Sequence, residues 1–294
     1  MSNVRFCGRD FSEEEIELLR QLCADRGACP TRSAIARALC EATGWRDQLG
    51  RSKEMSARVA LLRMERAGLI TLPPPRNSNQ NGRTPRFLAE EGQLRLELGP
   101  PARSLSELGA IEVAPVAGRA QSATWNKLIA SQHYLGYVAL CGAQLRYLVT
   151  GAPGVIACVS FGPSAWKCQP RDAHIGWDAA ARERRLHLVV GNARFLILAH
   201  ARVPHLASKV LGLVSRRLVV DWQAAYGYAP VLAETFVEAG RFAGTSYKAA
   251  NWVYVGQTKG RGKLDREHRR ALPVKDVYLY PLHRNYRRIL TAPA

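Results

Sequence analysis

Acidic side chains are scarce in this 294-residue chain: 24 Asp and Glu stand against 42 Lys and Arg, a formal net charge of +18 at pH 7. That imbalance excludes a charge-neutral surface and points to polyanionic partners, a nucleic-acid backbone ahead of an anionic membrane. Long apolar runs are missing as well. No stretch of about 18 apolar residues is available to span a bilayer, and the opening MSNVRFCGRDFSEEEIE lacks the basic, apolar and small-residue order of a secretory signal. A cytoplasmic protein with no membrane partner is expected. Paired cysteine motifs are absent too. Cys7, Cys23, Cys29, Cys40, Cys141, Cys158 and Cys168 are odd in number and contain no CxxC, which argues against a disulfide framework and a zinc ribbon. Reduced, buried thiols are the simpler expectation for the four within the first 40 residues, beside a non-standard metal site. With 47% apolar and 22% charged residues, the chain has enough apolar surface to offset the entropy of ordering, so it is not disordered.

What is present divides into a small helical module and a larger mixed domain. Ser12 and Glu15 form a capping box ahead of Ile16, Leu18, Leu19 and Leu22 at helical spacing, predicting a helix over 12–24. Thr31 or Ser33 starts a second helix, which Gly44 ends. A third is predicted over 53–66, with Met55, Val59 and Leu62 on its apolar side and Lys53, Arg58, Arg63 and Arg66 toward solvent. Leu69–Leu72, a basic loop (PPPRNSNQNGRTPR) and Phe87-Leu88 then read as a β-hairpin. Together these predict a winged helix-turn-helix over 1–89. In such a module the third helix enters the major groove and the wing touches the backbone or minor groove. The DNA-contact candidates are Lys53, Arg58 and Arg63 on the helix and Arg76, Arg83 and Arg86 on the wing; a module used only for protein contacts is the alternative.

Residues 90–112 mix Gly, Pro and charge and read as a linker to a domain over 113–294. Residues 1–100 hold 16 basic and 13 acidic side chains, whereas 241–294 alone hold 12 basic and 3 acidic. The electrostatic grip on a polyanion is therefore expected in the second domain. There the pattern predicts a helix (TWNKLIASQHYLGY), a hairpin (AQLRYLVT and VIACVSFG around Gly151–Gly154), a polar helical stretch (RDAHIGWDAAARERRLHLV), a strand (ARFLIL), a long amphipathic helix from Leu206, a strand (PVLAETFVE), a short helix (GTSYKAANWVYVG) and a last strand (VKDVYLYPL). Tyr247, Trp252, Tyr254, Tyr278, Tyr280 and Tyr286 are interleaved with the charges of that tail, as stacking on unpaired bases requires, or as a core requires.

This order of elements, with Tyr247-x-x-x-Asn251-Trp252-x-x-x-Gly256 before the last strand, resembles the GCN5-related acyltransferase superfamily over about residues 120–282. Within it the chain is similar to the phage Mom-like branch, which modifies DNA bases. The blocks HYLGY (133–137), LRYLV (145–149), RDAHIGW (171–177), NARFLIL (192–198), LASKVLG (206–212), ETFVE (234–238) and TSYKAANWVYVGQTKGRGK (245–263) together resemble the DruA family, named for the Druantia anti-phage systems and also found beside insertion-sequence genes. The resemblance implies an α+β fold: a winged helix-turn-helix followed by an acyltransferase-like mixed sheet flanked by helices. It also implies DNA and other defence or transposon proteins as partners, and it leaves the oligomeric state open, a dimer included.

Acetyl-CoA enzymes of that superfamily carry an Arg/Gln-x-x-Gly-x-Gly/Ala loop whose backbone N–H groups hold pyrophosphate at the start of the long helix. Here the junction is His200-Ala201-Arg202-Val203-Pro204-His205, without glycine, which speaks against acetyl-CoA and leaves the cofactor open; the helix start can still hold an anion such as a DNA phosphate. The basic segment after the short helix, with Lys259, Arg261, Lys263, Arg266, Arg269 and Arg270, reads as phosphate-binding.

Among residues able to do chemistry, His133 and Tyr134 end the domain's first helix. Asp172 and His174 share a segment with Arg171, as an acid/base pair or as part of an ordinary ion pair. Asn192 precedes a central strand, and His205 and Ser208 start the long helix. Glu234 interrupts an apolar strand, where a carboxylate must be paired or perturbed; with Asp172 it would suit a divalent metal if the two converge. Asn251 and Trp252 follow Tyr247 on the short helix. Tyr247 occupies the place where the resemblance implies a tyrosine that protonates a leaving group, and the same phenol could instead attack a DNA phosphodiester. Three readings stand: a DNA-acting enzyme of the defence or mobile-element type with transposase-like cleavage and strand transfer, a base-modifying transferase, and a non-catalytic DNA-binding subunit.

Overall fold

The computed structural model describes residues 4–76, 99–260 and 272–293 and separates into two compact units, residues 1–83 and 84–294.

The first unit opens on a hairpin that the sequence pattern does not announce. Strands β1 (Val4–Phe6) and β2 (Arg9–Phe11) pair antiparallel. Their two-residue turn places Cys7 at φ 51° and Gly8 at φ 81°, the doubly left-handed geometry that suits the twist of a tight hairpin. Helix α1 (Glu13–Ala24) carries the full capping box, with Ser12 Oγ accepting from the Glu15 amide and Glu15 Oε2 accepting from the Ser12 amide, both at 3.2 Å. Helix α2 (Arg32–Thr43) starts on Thr31 and ends on left-handed Gly44. Helix α3 (Glu54–Arg66) corrects the expected face: it buries Ala57, Ala60, Leu61 and Met64, while Met55, Val59 and Leu62 are 69%, 40% and 38% exposed. The inward stripe uses two alanines, whose small size lets α3 pack close to α2, so the larger side chains remain outside. Ile70 and Leu72 are buried, but residues 69–72 form no strand; the wing residues Arg83, Arg86, Phe87 and Leu88 lie outside the described residues. Cys23, Cys29 and Cys40 are buried in this unit's core, and among the described residues no cluster of His, Cys, Asp or Glu is placed to hold a metal.

The second unit is α+β: one mixed seven-stranded sheet flanked by helices. Its elements are β3 (Glu112–Pro115), α4 (Gly118–Gln132), β4 (Leu145–Gly151), β5 (Gly154–Pro163), α5 (Gln169–Ile175), α6 (Ala179–Arg185), β6 (Val189–Ile197), α7 (Leu206–Tyr226), β7 (Leu232–Glu238), α8 (Thr245–Ala249), β8 (Val253–Gln257), β9 (Lys275–Pro281) and α9 (Tyr286–Thr291). The strand order is β3-β4-β5-β6-β7-β9-β8. Among the described strands every pairing is antiparallel except β6 with β7, which α7 joins by the crossover that a parallel pair needs. Val210, Val214, Leu218 and Trp222 of α7 pack on Tyr147, Val159 and Tyr278 of the sheet, and Leu108 is completely buried in the same core. Two expected elements divide. The polar stretch after β5 is two short helices, broken where Gly176 turns left-handed at φ 82°. The helix bearing Tyr247 stops at Ala249, Asn251 reverses the chain at φ 63°, and the β-favouring Val253-Tyr254-Val255 becomes β8. Among the described residues no helix is long and apolar enough to cross a membrane.

Candidate functional site

The parallel pair creates the site. Strands β6 and β7 are in register only from Val189 opposite Leu232 to Asn192 opposite Thr235, while β6 runs on to Ile197 and β7 to Glu238. Where the pairing stops, a cleft of about 1230 Å3 opens, walled by β6, β7, the starts of α7 and α8, and the segment after α4.

At its base Tyr247 donates a 2.7 Å hydrogen bond to Asn192 Oδ1 and receives one of 3.3 Å from Thr235 Oγ1. Asn192 Nδ2 is fixed in turn by the Ser160 carbonyl at 2.9 Å and the Arg194 carbonyl at 3.2 Å. The Tyr247 ring is wedged between Trp252 and Tyr278, at 5.2 and 6.0 Å between centroids. Burial pushes the phenol well above its ordinary range, so at neutral pH it is a proton donor and not a phenolate. Gly244, just before α8, lies against the Tyr278 ring, where any Cβ would overlap the phenol at 2.2 Å; only glycine allows that approach.

The mouth is aromatic and cationic. His133 caps α4 and stacks on Tyr134 at 4.9 Å; Tyr134 meets Phe242 at 5.2 Å; and the Arg241 guanidinium lies 4.4 Å over the Tyr134 ring. Arg194 is tied to the Gly136 and Ala193 carbonyls at 3.2 and 2.7 Å. Arg202, Val203, Pro204 and Ala207 form the wall where α7 begins. His205 adopts φ 65° as the residue before α7 and is exposed; its carbonyl accepts from Ser208 Oγ at 3.0 Å.

Burial, followed by the charges of Arg194 and Arg241, lowers the His133 pKa to about 4. Because the unfolded side chain titrates near 6.5, protons bind the unfolded chain first as the solution is acidified. The stability contribution is therefore complete above pH 6.5 and is lost as pH falls from there toward 4. His133→Gln should flatten this part of the acid-induced loss in denaturant unfolding between pH 7.5 and 4.5. A variant that loses stability in parallel with the parent would show His133 to be solvated.

Thus His133, Tyr134, Asn192 and Tyr247 line one cleft. Asp172 and Glu234 do not join them. Alternation along β7 turns Thr235 toward Tyr247 and Glu234 to the opposite face, where both carboxylates meet Arg171. The guanidinium reaches Glu234 Oε2 and Asp172 Oδ1 at 2.8 Å each and the Ala165 carbonyl at 2.7 Å. Glu234 Oε1 accepts from the Ala165 amide at 2.7 Å, and Asp172 accepts from Trp177 Nε1 at 2.9 Å. Arg171 and Glu234 are completely buried. The two carboxylates converge, but on an internal cation that occupies the place a metal would take. His174 lies on that side as well, 2.8 Å from Tyr286 Oη. Trp252 is buried core, and Asn251 is an exposed turn residue. Lys53, Arg63, Arg76 and Lys259 are exposed, whereas Arg58 is half-buried and donates to Ser33 Oγ at 2.5 Å. Arg261, Lys263, Arg266, Arg269 and Arg270 lie outside the described residues. The sequence reading missed Thr235, Arg194, Arg241 and Phe242; of these only Arg194, a charge inside the apolar run NARFLIL, carries a visible signal.

Among curated proteins no relative matches the chain. Solved structures similar to it include the ribosomal-protein-S18-alanine N-acetyltransferase of Escherichia coli, at 7% identity over 59% of this chain and 94% of that one, TM-score 0.38. An N-acetyltransferase of Staphylococcus aureus matches at 13% identity over 59% and 99%, TM-score 0.36. An acetyltransferase of the GNAT family from Streptococcus pneumoniae matches at 10% identity over 59% and 100%, TM-score 0.37. Residues 63–269, well over half of the chain and including every residue that lines the cleft from Ser131 to Tyr247, match the family described as Druantia protein DruA, and the chain belongs to the DruA family.

Proposed function

We propose that the protein acts on DNA in a defence or mobile-element setting, and that the β6/β7 cleft receives an unpaired nucleotide, whose base takes a group from an activated donor while the donor's leaving group takes the proton of Tyr247. The carrying observation is the arrangement of the cleft: a mouth of His133, Tyr134 and Phe242 with Arg194 and Arg241 leads to a protonated phenol anchored on Asn192. Aromatic faces and guanidinium groups at one opening suit an unstacked base and its phosphate. A base must leave its duplex, or come from a single strand, to reach such a pocket. Arg202 and the start of α7 offer positive charge and free amides for a flanking phosphate.

Within the cleft the Tyr247 hydroxyl contacts Asn192 Oδ1 and Thr235 Oγ1, neither of them a base able to take its proton, whereas a nucleophilic tyrosine needs such a base beside it. Base modification therefore stands ahead of strand cleavage. The first unit contributes an exposed face of α3 that combines Arg63 and Arg66 with Met55, Val59 and Leu62, with Lys53 just before the helix, a mixture that serves phosphates and thymine methyl groups.

The test is fluorescence anisotropy of labelled single-stranded and duplex oligonucleotides over a range of salt, followed by mass analysis of the isolated nucleosides. Affinity should fall linearly on a log–log plot, by about 0.7 per phosphate neutralised on a single strand, and Arg194→Gln with Arg241→Gln should weaken single-strand binding most. A salt-independent signal would refute DNA binding. A protein–DNA adduct lost in Tyr247→Phe would replace group transfer by strand cleavage.

A further inference from the structure

A second opening lies on the other face of the sheet. Along β9, Tyr278 stacks on Tyr247 whereas Leu279 points away from it. Leu279, its register partner Val253 and Pro281 floor a pocket of about 530 Å3, closed by His174 of α5 and by Arg284, Arg287 and Arg288 at α9. Arg287 Nη2 lies 3.0 Å from His174 Nε2, which is also 2.8 Å from Tyr286 Oη. The imidazole and the Tyr286 ring are nearly parallel, 8° apart. Arg287 is thus held by a neutral ring that leaves its charge uncompensated. Arg284 and Arg288 are exposed and form no ion pair or hydrogen bond with any described residue. Among the described residues no carboxylate lines the pocket.

Three guanidinium groups within five residues of chain repel one another, and a folded protein lowers that cost by pairing them with carboxylates. Among the described residues none supplies that counter-charge to Arg284 or Arg288, which leaves the role to an anion from outside. A guanidinium fork matches the oxygen geometry of phosphate, and the apolar floor allows the sugar or base edge of a nucleotide to lie over it. We propose that His174, Arg284, Arg287 and Arg288 form a phosphate-binding site for a nucleic-acid backbone, separate from the cleft at Tyr247. The site rests on the DNA-acting function only for its ligand; the pocket stands on its own geometry. It anchors backbone without reading bases, so its contribution is independent of sequence.

The experiment uses the full chain and the double variant Arg284→Gln/Arg288→Gln, both exposed and outside the cleft. A second double variant, Arg103→Gln/Arg216→Gln, removes equal charge from exposed positions elsewhere. Anisotropy titration of a labelled duplex against salt should give, in the first variant and not in the second, a slope shallower by about 0.9 for each phosphate that the arginines no longer neutralise. Inorganic tripolyphosphate should raise the thermal midpoint of the parent by clearly more than that of the first variant, and that of the second variant as much as the parent's. If DNA binding keeps its slope in the first variant, the pocket is not a backbone site, although the function proposed for the cleft is untouched. If the parent binds no DNA yet responds to tripolyphosphate through these arginines, the phosphate site holds with a free polyphosphate as its ligand, and the DNA-acting function falls. Poly-glutamate matching tripolyphosphate at equal charge would overturn the phosphate assignment in favour of an acidic peptide.

Discussion

Arg171→Met is expected to destabilise the second unit by about 3–5 kcal/mol, the range found when one member of a buried ion pair is removed and its partner is left uncompensated. The cause is local. Arg171 and Glu234 are completely buried, and Asp172 is largely so. The attraction of Glu234 and Asp172 outweighs the burial of the guanidinium and holds it charged. Without it, Glu234 retains the Ala165 amide and nothing else among the described residues, and it must either ionise in an apolar surrounding or take up a proton. Arg171→Met combined with Glu234→Leu should recover much of the loss, since a buried pair replaced by apolar side chains of similar volume is close to neutral. Asp172 keeps the Trp177 indole and the Cys168 amide. Urea unfolding of the two variants measures the difference. A single variant within about 1 kcal/mol of the parent, the usual range of an exposed pair, would show that water reaches the triad and that the carboxylates are not committed to Arg171.

Glu234 also marks where sequence reasoning stops. A carboxylate in the apolar run PVLAETFVE signals by itself that a buried charge needs compensation. The partner is Arg171, 63 positions earlier, and no periodicity records so distant a pairing. The acid next to that arginine in the chain, Asp172, suggested a metal; the same convergence on Arg171 removes the need for one. Local devices are legible because cause and effect lie within one turn. Ser12 with Glu15 starts α1 and Gly44 ends α2; Gly176, which ends α5, is a device of the same kind that the helical reading of 171–189 ran through. The inward face of α3 is not legible from hydrophobicity alone. Val59 and Leu62 compete with Ala57 and Ala60, and close packing against α2 decides for the smaller side chains. The base of the cleft is hidden for a further reason. Asn192 and Thr235 are neutral and polar, and they matter only because the one parallel pairing among the described strands ends on them. Tyr247 stood out by its place on the short helix, but the upward shift of its phenol follows from burial against Trp252 and Tyr278, which only the folded sheet brings around it.

Tyr247→Phe should separate the chemical and structural roles of the cleft. The substitution removes one oxygen and leaves the ring against Phe195, Trp252 and Tyr278, so the fold survives. Asn192 Oδ1 loses its donor, and a buried acceptor left without a partner costs about 1–3 kcal/mol. Asn192 Nδ2 remains on the Ser160 carbonyl, which keeps the side chain in place. DNA affinity should be unchanged, because the mouth at Arg194 and Arg241 is intact. The base modification proposed for the cleft should fall by about 10²–10⁴-fold, the range for loss of a positioned general acid, and it should fall in the rate at saturating DNA and not in the concentration giving half-maximal rate. Asn192→Ala frees the phenol from its acceptor and lets it turn within the cleft, so a smaller loss in rate at unchanged affinity is expected there. Equal rates for parent and Tyr247→Phe, measured by mass analysis of nucleosides, would remove the phenol from the chemistry. Tyr247 would then serve the core alone, and the charged mouth would be the working part of the cleft.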